Sequence, residues 1–202
     1  MPDSLLGGRS RCRRTLWRDA ARSYRAPSDT FVADLGSLLH RRDDLGAGLR
    51  ALRGGLEQAG DARFLPRFLL LLGELAACLG QIGEVAPGLA IVEDTLARCE
   101  ARDEGWYIAE LLRIRGELIL LDGAADAAVV AEQHFRGALD LAHRQDALFW
   151  ELRTATSLAQ LLQCQDRLAE ARELLGPIHA RFAEGFATAD LQRAKSLLDQ
   201  LA

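Results

Sequence analysis

A chain of 202 residues has room for one or two domains, and an apolar fraction of 49% is that of a packed protein, not a disordered one. A net charge of −4 is too small to commit the whole molecule to nucleic acid or to an anionic surface. The basic charge is almost all arginine, with Lys195 the only lysine. Cys12, Cys78, Cys99 and Cys164 form no CxxC and no close Cys/His pair, which argues against zinc. The last three lie in apolar helical patterns and read as free thiols of a reducing compartment. The first 30 residues lack an apolar core, so no secretory signal is expected. The apolar run Phe68 to Leu72 is far short of a membrane span. These features predict a soluble, cytoplasmic protein with no cofactor and no metal.

Residues 1–27 form an arginine-rich arm, expected to be either poorly ordered or one helix over about 14–25. Seven arginines from Arg9 to Arg25 face the single acid Asp19, with Trp17 and Tyr24 interleaved. Such a pattern suits a nucleic-acid backbone or an anionic membrane surface. The competing reading has Leu16, Ala20 and Ala21 packing on the next element. Beyond the arm, leucine and alanine recur at spacings of three and four while strand signals are weak, so residues 28–202 are predicted all-α. Helix pairs are expected at 29–42 with 45–59, 63–80 with 84–101, 105–121 with 126–144, and 148–164 with 167–183. Breakers punctuate them at Asp43-Asp44, Gly60-Asp61, Gly83, Asp122-Gly123, Asp166 and Gly185. Ser28 and Asp126 stand where N-caps are needed. A last helix, 188–201, carries the apolar face Leu191, Ala194, Leu197, Leu198 and Leu201, with Gln192, Arg193, Lys195 and Asp199 opposite.

The pairs repeat. In the second helix of each, a small residue precedes a larger one by four and a third residue follows three later. The copies are Gly48-Leu52-Gly55, Gly88-Val92-Thr95, Ala131-Phe135-Ala138 and Ala171-Leu175-Ile178. The first helix carries an apolar residue, a small one directly after, and an apolar one three further. Its copies are Leu35-Gly36-Leu39, Leu75-Ala76-Leu79, Arg115-Gly116-Ile119, where Arg115 breaks the apolar rule, and Leu158-Ala159-Leu162. The period is 40 residues, with about three more near Gly123-Ala124-Ala125. A mid-helix glycine such as Gly116 costs about 1 kcal/mol relative to alanine, so close approach of a neighbouring helix is expected there. Arg115 is expected to snorkel or to pair with an acid such as Glu117.

These signatures resemble the tetratricopeptide (TPR) repeat, with longer helices than its usual period. The segments from GELAACLGQIGEVAPGLAIVEDTLA through FAEGFATADLQRAKSLLDQLA also resemble the C-terminal region of large bacterial signalling ATPases, over about residues 46–202. In that family a cyclase or winged-helix DNA-binding domain precedes an NTPase module, and a TPR-like array ends the chain. The resemblance implies a right-handed α-α superhelix: a TPR-like solenoid of four helix pairs (29–59, 63–101, 105–144, 148–183) plus a C-terminal capping helix. It also implies that the array is a fragment or a stand-alone relative. No Gly-x4-Gly-Lys-Ser/Thr phosphate loop occurs, so ATP binding and cyclase activity do not transfer.

Catalytic chemistry finds little support. His40, His134, His143 and His179 have no metal spacing. Glu110 and Glu117 share a helix face with Arg113 between them, which could serve acid–base chemistry or form an ion-pair ladder worth about 0.2–0.5 kcal/mol per contact. The second reading is preferred, because no nucleophile accompanies the pair. In register with the packing residues, the first helices would present Ser37, His40, Glu110, Arg113, Glu117, Arg153, Thr156, Gln160 and Gln163 to a groove. Trp106, Tyr107, Phe149 and Trp150 begin two first helices, either as inter-repeat core or as anchors for a partner.

The expectation is therefore a non-catalytic protein–protein interaction or regulatory scaffold module of a bacterial signalling or transcription-regulatory protein. Its partner would be a protein or peptide, with an NTPase or cyclase module and a second copy of the chain as candidates. Nucleic-acid association through the arginine arm is the alternative, and a helical enzyme with a polar groove site comes last.

Overall fold

A computed structural model describes residues 49, 53, 54, 56 and 66–202. The arginine-rich arm 1–27, Cys12, Ser28, the helix expected at 29–42 with Ser37 and His40, and the turns at 43–44 and 60–61 lie outside the described residues. Leu49, Arg53, Gly54 and Leu56 are helical, within the stretch expected at 45–59.

Seven further helices follow: α1 (Pro66–Gln81), α2 (Val85–Ala101), α3 (Ile108–Asp122), α4 (Ala127–Arg144), α5 (Leu148–Cys164), α6 (Leu168–Ala180) and α7 (Ala189–Gln200). Among the described residues there is no strand, and no helix is long and apolar enough to cross a membrane. The regular structure of the described residues is all α-helix. Residues in contact divide it into two compact units, with a boundary between Tyr107 and Ile108.

In the first unit α1 and α2 pack as an antiparallel hairpin. Both packing triplets are inside: Leu75, Ala76 and Leu79 on α1, and Gly88, Val92 and Thr95 on α2. The link 102–107 ends in Trp106 and Tyr107, whose ring centroids are 5.2 Å apart. Tyr107 is buried and Trp106 is exposed.

The second unit holds α3 to α7. Consecutive helices pack on each other from α3 through α7. In addition α3 packs on α5 and α5 on α7, so the first helix of each hairpin meets the first helix of the next element. The core runs through Ala131, Phe135, Leu158, Ala159, Leu162, Ala171, Leu175, Leu191, Ala194 and Leu197. Gly116 and Phe135 show why small and large residues alternate there. A Cβ on Gly116 would lie 2.6 Å from Phe135 Cε1, and the Phe135 ring is wholly buried. The ring occupies the volume that a side chain at residue 116 would need.

The second helices are tied by an outer ionic cluster. Arg136 on α4 bonds both Glu132 and Glu170 at 2.7 Å, while Arg167 reaches Glu132 at 2.8 Å and Glu170 at 2.6 Å. At the far side, the buried Glu151 of α5 accepts from Arg181 Nη1 at 2.6 Å and lies 3.2 Å from His143 Nδ1.

Every connection between α1 and α7 contains one residue in the left-handed region: Gly83, Asp103, Gly123, Asp146, Asp166 and Gly185, with φ between 52° and 92°. Four of these turns close identically. Glu84, Glu104, Ala147 and Arg167 donate their N–H to the carbonyls of Leu79, Cys99, Ala142 and Leu162 at 2.9–3.0 Å. That 6→1 bond satisfies carbonyls left open by the ending helix. Asp126 stands at the N-cap position of α4, but its side chain makes no cap bond. Its backbone carbonyl instead accepts from Val129 at 2.9 Å and Val130 at 3.1 Å. Asp166 is exposed and held at φ 62°. An L-residue there costs about 1–2 kcal/mol, against roughly 0.5–1 kcal/mol of extra chain entropy for glycine. Asp166→Gly is therefore expected to stabilise the protein by about 0.5–1 kcal/mol in urea melts. A destabilised variant would mean that this aspartate does more than tolerate the turn.

Candidate functional site

Helical spacing sets the site. On α3, Glu110, Arg113 and Glu117 are three and four apart and share one face. On α5 the same geometry aligns Arg153, Thr156, Ser157, Gln160 and Gln163. On α7 it aligns Asp190 with Arg193. Since α3 packs on α5 and α5 on α7, the three polar rows converge.

The centre is a charge network. Arg113 donates to Glu110 through Nε at 2.8 Å and Nη2 at 2.6 Å, a bidentate pair. Its Nη1 reaches Glu117 Oε1 and, at 3.4 Å, Ser157 Oγ on the next first helix. Ser157 in turn donates to Glu117 Oε1 at 2.8 Å. Arg153 crosses from α5 to Glu110 at 2.7 Å and lies 3.6 Å from Asp190 on α7. Its guanidinium carbon is 5.7 Å from the Phe149 ring centre and 5.8 Å from that of Trp150, within cation–π range. Phe149 and Trp150 themselves pack edge to face, with centroids 5.1 Å apart.

Burial makes these pairs costly to break. Glu110 is 1% exposed and Arg113 6%. Burial alone would raise the Glu110 pKa, but Arg113 and Arg153 beside it overcome that and hold the carboxyl below its ordinary range. Burial would likewise depress Arg113, and Glu110 with Glu117 reverse the effect.

Arg113, Arg153, Thr156, Ser157, Asp190 and Arg193 line a small cleft of about 10 Å³, room for about one water molecule. Arg193 donates Nη2 to Gln160 Oε1 at 2.8 Å. The Thr156 hydroxyl is spent on the Leu152 carbonyl at 2.8 Å.

Seven of the nine residues expected in a groove are thus placed in the second unit, where the packing of α5 on α3 brings Glu110, Arg113, Glu117 and Arg153 into one network. Thr156 and Gln160 border the cleft side of α5. Gln163 sits at the end of the row, its amide donating to Gln200 at 3.4 Å. Glu110, Arg113, Arg153, Thr156 and Gln160 are buried, because facing helices supply partners that a single helix cannot show. The ladder on α3 forms, but inside the protein and across to α5, not on a solvated surface.

Ser157, Asp190 and Arg193 were not among the sequence candidates. Ser157 has a signal in hindsight, since it stands 40 residues after Glu117, one repeat along the chain. Arg193 was placed on the outer side of the last helix; its Nε is buried in the cleft wall.

Chemically the site can hold and orient charge. Ser157 donates to a carboxylate that already carries a guanidinium, an arrangement that fixes the hydroxyl rather than activating it. Among the described residues no group of three His, Cys, Asp or Glu could hold a metal ion. No protein-family model matches the chain, and no curated protein sequence matches it either.

Proposed function

We propose that this chain is a TPR-like helical array, a right-handed superhelix of hairpins closed by α7, that works without catalysis as a protein-binding regulatory scaffold. The observation that carries this reading is the packing of first helix on first helix, α3 on α5 and α5 on α7, with their polar rows aligned. That geometry is what stacked helical hairpins produce; most of the row is buried in its own charge network, and Glu117 and Gln163 are the candidates left half-buried at its edge. The resemblance to the C-terminal arrays of bacterial signalling ATPases supplies the setting. There the module is cytoplasmic and passes a bound state to an NTPase or cyclase partner, and a second copy of the chain is a further candidate.

A selection of displayed random peptides on the intact chain tests the reading. Enriched peptides should bind saturably and lose affinity by tenfold or so when Gln163→Trp blocks the half-buried end of the α5 row, about 1.4 kcal/mol. No enrichment, or equal binding by the blocked variant, would remove the groove as the interaction surface.

A further inference from the structure

We draw no further inference here: the strongest candidate, the small cleft between α5 and α7 at Arg153, Asp190 and Arg193, belongs to the charge network already described and has room for about one water molecule.

Discussion

Replacing Phe135 with alanine is expected to lower the unfolding free energy by about 3–5 kcal/mol, the range for emptying a fully buried aromatic site. The ring has no exposed surface and its neighbours Ala131 and Ala138 are too small to refill the space. The complementary variant is more diagnostic. Gly116→Ala should gain about 1 kcal/mol of helix propensity if the site were open. Here the new methyl would meet the ring at 2.6–3.0 Å from three of its carbons, closer than packed carbons approach. Overpacking of a rigid, enclosed ring costs about 1–3 kcal/mol, so Gly116→Ala should destabilise despite its propensity. The double variant Gly116→Ala/Phe135→Leu should then lose less than the sum of its parts, with a coupling of at least about 0.5 kcal/mol for residues in contact. Urea midpoints at constant slope measure all four corners of the cycle. Strict additivity would show that the two residues do not share one volume.

That pair also shows what could be read from the chain beforehand. Small residues three and four from larger ones located the helix crossings, because backbone approach is a local demand that each helix must meet on its own. The triplets Leu75-Ala76-Leu79, Leu158-Ala159-Leu162 and Ala131-Phe135-Ala138 are all buried, and helix ends fall within a few residues of those expected. Where boundaries moved, local turns account for the difference. Helix α3 starts at Ile108, not 105, leaving Trp106 and Tyr107 in a turn; α6 stops at Ala180, where Arg181 and Phe182 close the last turn by bonds to Ile178 and His179 at 3.2 Å. The site was half legible. Periodicity aligned Glu110, Arg113 and Glu117, but a single helix cannot say whether that row meets water or another helix. Nor could it show that Ser157 would complete the row or that Arg193, beside Ala194 on α7, would line the cleft. The contribution of residues on other elements is a long-range matter, and no local pattern encodes it.

The burial of that row decides its energetic weight. As a solvated ladder, its pairs would be worth about 0.2–0.5 kcal/mol each. Removing one partner of a buried pair costs about 3–5 kcal/mol instead, because the remaining charge stays desolvated. Glu110→Met should fall in the second range, since it deprives both Arg113 and Arg153 of their shared carboxylate. A loss under about 1 kcal/mol in urea melts would mean that water reaches the network. Replacing the carboxylate and Arg113 together, as Glu110→Met/Arg113→Leu, should recover part of the loss, because apolar substitutes carry no desolvation cost. The pH dependence has a definite sign. The Glu110 carboxyl titrates lower in the folded protein than in the unfolded chain, so its contribution is complete above the ordinary carboxyl value of about 4.3 and is lost as pH falls through the lower folded value. The stability gap between the parent and Glu110→Met should therefore be constant from pH 6 to 8 and narrow below about pH 4, where paired carboxylates take up protons. A gap that persists unchanged into acid would place the cost in lost packing and not in the charge that joins α3 to α5.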